Sequence, residues 1–377
     1  MATSLGYLAE PMLAMAGAMY PGEHARTAPD KPAAIKAETG EILTYRDLDE
    51  QSNRLAQLLH AEGLRHGDHI ALFMENQLAY FAVVWAALRS GLYITAINRY
   101  LTADEAEYIV NDCGAQVLVS SIERADIAGA LVGRIPNCRR LLMLGGTISG
   151  WESYEAATAA MPGEKLTEEW LGDTMLYSSG TTGRPKGIKR VAPPARVGEA
   201  FRMLDMFHEY AWRSDMVYLS PAPLYHAAPL GFSVGVQRFG GTVVMMSRFD
   251  PAEALRLIER HRVTHSQWVP TMFVRMLKLP EAERRGFDLS SHEVAIHAAA
   301  PCPVDVKHQM IAWWGPIIYE YYGATEGNGR TALTAEEWLA HPGSVGRSKL
   351  GIIHICDDEG SELPLSQDGL VYFERDS

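Results

Sequence analysis

From about residue 44 onward the chain alternates short apolar runs with amphipathic stretches of helical period, and this alternation leaves few folds open to it. Thr44 and Asp47 form the pattern of a capping box, opening a helix whose apolar stripe is Leu48, Leu55, Leu58 and Leu59 and which Gly63 ends. A strand follows from Ile70 to Met74, then a helix carrying Phe81, Val84, Trp85 and Leu88 with a stop at Gly91, then a strand from Tyr93 to Ile97. Thr102 and Glu105 cap the next helix, which closes at Gly114 before the strand Gln116 to Ser120. Strands separated by helices pair in parallel, and a parallel sheet buries both faces beneath its crossover helices. The fold class expected is therefore α/β, with parallel-rich sheets and flanking helices.

A second set of elements begins after the Pro- and Gly-containing stretch 145–173, with strands at Thr174 to Tyr177, Val217 to Leu219 and Gly241 to Met246. Asp250, Pro251 and Glu253 stand as N-cap, N1 proline and N3 acid of a helix running to about Arg262. The strands Thr264 to Val269, Val294 to Ala298 and Ile317 to Tyr321 each lead into a loop of small or polar residues, and the carboxyl ends of strands are where open α/β sheets bind ligands. From Gly343 the helical pattern stops, and the strands Gly351 to Cys356 and Gly369 to Phe373 suggest a small C-terminal β subdomain. The expected division is a first α/β subdomain over 1–172, a second over 173–342, and the start of the β subdomain over 343–377.

Composition narrows the function. The hydrophobic fraction is 47%, which excludes a disordered chain, and 46 acidic against 34 basic residues give a net charge of −12, which argues against nucleic-acid or anionic-membrane binding. Cys113, Cys138, Cys302 and Cys356 show no CxxC or finger spacing and read as reduced thiols of a cytosolic protein. The apolar N-terminus has no Lys or Arg before Arg26, so it lacks the positive start of a secretory signal. The longest apolar run, Tyr80 to Leu88, falls far short of the roughly 18 residues of a membrane span.

The densest chemical signal is Tyr177-Ser178-Ser179-Gly180-Thr181-Thr182-Gly183-Arg184-Pro185-Lys186-Gly187. Glycines let successive N–H groups face one concavity, hydroxyls add donors, and Lys186 brings a point charge suited to phosphate. A Walker loop needs Ser or Thr after Gly-Lys, whereas Lys186 lies between Pro185 and Gly187; the dinucleotide fingerprint G-x-G-x-x-G is also absent.

This run resembles the signature loop of the adenylate-forming enzymes, the family of acyl-CoA synthetases, nonribosomal adenylation domains and beetle luciferases. Other stretches are similar to further blocks of that family, in the same order: Pro223-Leu224-Tyr225-His226, Ala299-Ala300-Pro301, Tyr322-Gly323-Ala324-Thr325-Glu326 and Gly343-Ser344-Val345-Gly346. The resemblance implies ATP, Mg2+ and CoA as cofactors and a carboxylic acid, fatty, aromatic or otherwise bulky, as substrate. It implies that Ser178, Ser179, Gly180, Thr181, Thr182, Gly183 and Lys186 hold phosphates, and that Thr325 bonds the α-phosphate. It places adenine between Tyr322-Gly323 and Ala299-Ala300-Pro301, with Glu326 as the metal ligand. His226 is expected beside the substrate carboxylate or the thiol's path, and Ala228, Phe232, Ala298 and Tyr321 are expected to line or close the acyl pocket.

His208, His265 and His297 lack such context and are read as structural, while the run Trp268 to Leu277 and the pair Trp313-Trp314 are read as packing. The family's ribose-binding aspartate and the lysine of its mobile C-terminal domain have no counterpart here, so an isolated large domain with intact nucleotide loops and weak or absent turnover is expected. Two rival readings stand beside the acyl-CoA synthetase: an adenylation domain loading a carrier protein, and a non-catalytic nucleotide-binding module. The pattern leaves the oligomeric state open, a homodimer included.

Overall fold

The computed structural model describes residues 19–178, 184–191, 193–198 and 204–375. The chain falls into two compact units, Met1–Arg248 and Phe249–Ser377.

The first unit holds β1 (Pro32–Lys36), β2 (Ile42–Thr44), β3 (His69–Phe73), β4 (Tyr93–Ala96), β5 (Val117–Ser121), β6 (Arg140–Leu144), β7 (Glu152–Ser153), β8 (Asp173–Ser178), β9 (Lys186–Lys189), β10 (Val217–Ser220) and β11 (Thr242–Met245). Seven of them form a sheet in the order β7-β6-β5-β3-β4-β8-β9, parallel except for the β8–β9 pair. The run β10-β11-β1 is parallel, with β2 antiparallel at its edge. The strands β3, β4 and β5 are buried along almost their whole length, as a helix-covered parallel sheet requires.

The helices start where their caps predict. Thr44 accepts from the Asp47 amide while the Asp47 carboxylate accepts from the Thr44 amide, and the helix Tyr45–Ala61 buries Leu48, Leu55, Leu58 and Leu59. Thr102 and Glu105 do the same for Ala103–Asp112. The helix Ala79–Arg89 is buried from Tyr80 to Arg89, and its one charge is paired: Arg89 Nε lies 2.6 Å from Glu169 and Nη1 2.8 Å from Asp49.

The strand at 173–178 departs from the sequence expectation. It does not open a second sheet but extends the first, with Ile94 opposite Thr174. The cause is a close approach at Gly172, where a Cβ would lie 2.2 Å from the Leu92 carbonyl oxygen, so the chain enters β8 already lying against the entry of β4.

The second unit contains β12 (His265–Trp268), β13 (Val294–His297), β14 (Ile318–Gly323), β15 (Arg330–Leu333), β16 (Arg347–Leu350), β17 (Ile352–Cys356) and β18 (Leu370–Glu374). The strands β12-β13-β14 are parallel, β14-β15-β16 antiparallel, and β17-β18 a separate hairpin. The Gly343–Gly346 block therefore leads into a strand paired with β15. Gly346 has φ +89°, and a Cβ there would meet the Ala332 carbonyl at 2.2 Å, so this glycine lets the chain lie directly on β15.

The helix Pro251–His261 is capped as expected: Asp250 accepts from the Glu253 amide, Pro251 opens the first turn, and Arg262 closes it in the left-handed region. Trp268, Phe273 and Trp314 pack ring edge to ring face, with Trp268 and Trp314 centroids 5.5 Å apart, which makes them core. His265 and His297 are fully buried. All four cysteines are free thiols. Among the described residues no helix is long and apolar enough to cross a membrane.

Candidate functional site

The phosphate-loop candidate is the connection of an antiparallel hairpin. Ser178 at the end of β8 pairs with Lys186 at the start of β9, and Tyr177 with Gly187. Ser179, Gly180, Thr181, Thr182 and Gly183 lie outside the described residues, but the two ends of their loop are held beside each other. Gly187 lies close under two side chains, where a Cβ would come 2.4 Å from the Met175 methyl and 2.9 Å from the Tyr177 ring. The hairpin is anchored on the helix Ala103–Asp112. The Tyr108 hydroxyl donates to the Pro185 carbonyl at 3.2 Å, the Arg184 guanidinium sits 5.1 Å from the Tyr108 ring, and the Tyr177 hydroxyl donates to the Asp112 carboxylate. Lys186 is exposed at the base of the loop.

At the far end of β9, Lys189 lies 2.8 Å from His69 Nε2 and 4.4 Å from the Tyr93 ring centroid. Burial and then the Lys189 charge lower the His69 pKa to about 4, so its neutral imidazole accepts from the ammonium at neutral pH.

His226 follows the loop that leaves β10. It is the residue before the helix Ala227–Arg238, with extended backbone and the Tyr225 ring tilted against its imidazole at 4.3 Å and 50°. Desolvation by the surrounding chain lowers its pKa, which favours a neutral donor or acceptor over an imidazolium. The residue that shapes this loop carries no motif in the sequence: buried Asn76 donates to the Ala222 carbonyl at 3.2 Å and the Met246 carbonyl at 2.9 Å, and accepts from the Leu224 amide at 2.9 Å. Its signal, an Asn just after an apolar strand, is too common to mark it.

Ala228 is half-buried on the first turn of that helix. Phe232, expected in the acyl pocket, is 2% exposed and packed among aromatic rings, 5.6 Å from Trp212 and stacked on Tyr218 at 6.4 Å. It occupies a core position because the helix Ala227–Arg238 is buried almost all round, which leaves its fourth-residue stripe no exclusive claim on a pocket.

In the second unit the parallel register of β13 and β14 sets His297 opposite Glu320. Ala298-Ala299-Ala300-Pro301 leaves β13 and Tyr321-Tyr322-Gly323 continues β14, so the two segments expected around adenine emerge from neighbouring strand ends. Ala298 is buried; Ala299, Ala300 and Pro301 are exposed and present little side chain. Ala299 has φ +74°, a left-handed value rare outside glycine and a form of local strain common at binding loops. Tyr322 is 44% exposed, with one face stacked on Phe373 at 6.4 Å and 24°. Tyr321 is half-buried, and desolvation raises its phenol to about 12 against the lowering effect of Arg330.

Thr325 and Glu326 sit in the turn between β14 and β15, where Gly323 pairs with Arg330 and the Gly327 amide donates to the Ala324 carbonyl at 3.0 Å. No helix follows, so Glu326 is not a helix cap. Its carboxylate is exposed and makes no ion pair among the described residues, leaving its oxygens available to an outside cation. No cluster of three metal-ligating side chains occurs among the described residues.

Comparisons with known proteins give the family of the chain. Residues 22–377 match the family described as AMP-binding enzyme. The chain is 32% identical over 310 residues to feruloyl-CoA synthase of an Amycolatopsis species, covering 81% of this chain and 59% of that protein. It is 28% identical over 352 residues to the fatty acid–[acyl-carrier-protein] ligase ScoC of Streptomyces coeruleorubidus, covering 90% and 65%. A solved fatty acyl-CoA synthetase of Mycobacterium tuberculosis superposes with a TM-score of 0.74 at 23% identity, covering 92% of this chain and 67% of that one, and shows the same fold. The chain thus spans about three fifths of the length of these curated relatives. With the signature loop, the Ala-Ala-Pro segment and the Tyr-Gly-x-Thr-Glu turn each at a strand end, and with the match extending over nearly the whole chain, this protein belongs to the AMP-binding enzyme family.

Proposed function

We propose that this chain provides the ATP-binding, carboxylate-activating part of an acid–thiol ligase: a carboxylate oxygen attacks the α-phosphorus of ATP, pyrophosphate leaves, and a thiol, that of CoA, then displaces AMP from the acyl-adenylate. The observation that carries this reading is the His297–Glu320 register, which brings a small-residue segment and a half-exposed tyrosine to adjacent strand ends, an arrangement suited to a flat purine. No protein nucleophile is required, so the chain's residues act by positioning and charge.

Lys186 and the hydroxyls of Thr181 and Thr182 would hold the departing phosphates, Thr325 the α-phosphate, and Tyr322 with Ala299 to Pro301 the adenine. Glu326 fits a Mg2+ ligand, a hard oxygen donor with no competing ion pair; the ion would draw its other oxygens from phosphate and water and supply charge neutralisation. Neutral His226 is suited to orient the carboxylate or the incoming thiol. Ala298, Ala228 and Tyr321 are the residues proposed to bound the acyl pocket. Phe232 contributes to that wall only through packing.

Acid-stimulated pyrophosphate release from Mg-ATP, measured over a panel of aliphatic and aromatic acids, tests the reading. The expected result is release that depends on one acid class and is lost in Lys186→Ala; release indifferent to every acid contradicts it. ScoC gives the second reading a specific footing, a carrier-protein acceptor. A thiol-transfer assay offering CoA and a phosphopantetheinylated carrier in parallel separates the two.

A further inference from the structure

Beneath the proposed nucleotide segments lies an ion pair that the reaction does not use. Lys307, on the helix Val304–Trp314, is fully buried and donates from Nζ to the Glu320 carboxylate, itself 5% exposed. The ammonium faces the Trp338 ring at 4.9 Å, and His297 Nε2 lies 3.5 Å from the same Glu320 oxygen. Neither ring nitrogen of His297 has a hydrogen-bond partner among the described residues.

The placement of these groups gives the pair its meaning. His297 is the last residue of β13, immediately before Ala298-Ala299-Ala300-Pro301. Lys307 lies on the first turn of the helix that follows Pro303, at the other end of that loop. Glu320 precedes Tyr321 and Tyr322 on β14. One buried carboxylate thus touches both ends of the Ala-Ala-Pro loop and the root of the Tyr-Gly-x-Thr-Glu segment. Burying two charges costs much of what their attraction returns, and apolar residues of similar volume would hold the same elements together at least as well. What a directional pair adds is a fixed rotation and height of the helix relative to the strand, and thereby of the loop strung between them.

We propose that Lys307 and Glu320 are positioning residues that set the mutual register of the two nucleotide segments, so that losing the pair weakens nucleotide binding without a matching loss of stability. The proposal rests on the reading of 298–301 and 321–326 as the nucleotide segments. Calorimetric titration with ATP, thermal unfolding, and hydrogen exchange over 298–303 and 321–327 are to be measured on the unmodified chain, on Glu320→Gln and on the double variant Lys307→Met/Glu320→Gln. The double variant removes both charges at nearly constant volume and is the primary test; the single one keeps a hydrogen bond for Lys307 but leaves its ammonium without a counter-charge, so its ATP affinity is compared per folded molecule.

The expected result is an ATP dissociation constant raised about tenfold in a variant that melts within a few degrees of the parent, with faster exchange confined to the two segments. Unchanged ATP affinity in a folded variant overturns the proposal, as does exchange raised throughout the second unit, which marks a general structural role. An unmodified chain that binds no ATP overturns the reading of the segments, and the proposal with it.

Discussion

At the residue scale, two small residues, Ala299 and Gly346, separate strain from necessity. Ala299 holds φ +74° on the exposed loop after β13, a conformation that costs a non-glycine residue about 1 kcal/mol or more. Ala299→Gly is therefore expected to raise stability by about 0.5–1 kcal/mol in denaturant melts, after allowing for the extra freedom glycine gives the unfolded chain. A loss of stability would mean that the methyl group packs in a way its exposure does not show. Gly346 is the reverse case, with positive φ and a backbone carbonyl where a Cβ would sit, so Gly346→Ala is expected to cost about 1–3 kcal/mol. The same residues show what could be read beforehand. Lys186, Ala299 to Pro301, Tyr322 and Glu326 were marked by residue type in short runs, whereas Asn76 and the pair Lys307–Glu320 act across 148 and 13 positions of sequence separation and carry no local pattern.

At the scale of elements, the helix starts were legible because capping is local chemistry: a side chain and an amide three residues apart decide it. Asp250→Ala should lower stability by about 1 kcal/mol in chemical denaturation, since the exposed cap it removes satisfies one amide and little else. Strand partners were less legible. The joining of β8 to β4 and of β16 to β15 is set by backbone approaches at Gly172 and Gly346, which sequence shows only as two glycines among 33.

The terminal hairpin gives this scale a pH dependence. His354 Nε2 lies 2.9 Å from Glu374 and Nδ1 3.3 Å from Glu362, and these carboxylates, Glu374 first, raise the imidazole's pKa above its ordinary value. A raised folded-state pKa stabilises fully below the unfolded value and loses its effect as pH rises through the folded one. Amide exchange in β17 and β18 should therefore show more protection at pH 6 than at pH 8, once intrinsic rates are corrected. A hairpin equally protected at both, or better at pH 8, would rule out the His354 pairs as its support.

At the scale of the whole molecule, the alternation of strands and helices anticipated parallel sheets in both units. The first unit holds the hairpin proposed to take the phosphates and the His226 loop, on the ends of β8 and β10. The second unit holds the segments proposed to take adenine and the Glu326 turn, on the ends of β13 and β14. The identity of the acid stays hidden at this scale because pocket selectivity turns on single methylene contacts worth about 1–3 kcal/mol.

Attack of a carboxylate on the α-phosphorus of ATP, the step proposed for this chain, leaves its mark in where the carboxylate oxygen goes. The chain is incubated with Mg-ATP and a panel of carboxylic acids labelled with 18O in the carboxylate, and the nucleotide products are read by mass spectrometry, with Lys186→Ala alongside. Attack at the α-phosphorus predicts acyl-adenylate from one acid class, AMP carrying one labelled oxygen after release of the acyl group, and neither product from the variant. Unlabelled AMP, or ADP in place of AMP, would contradict it.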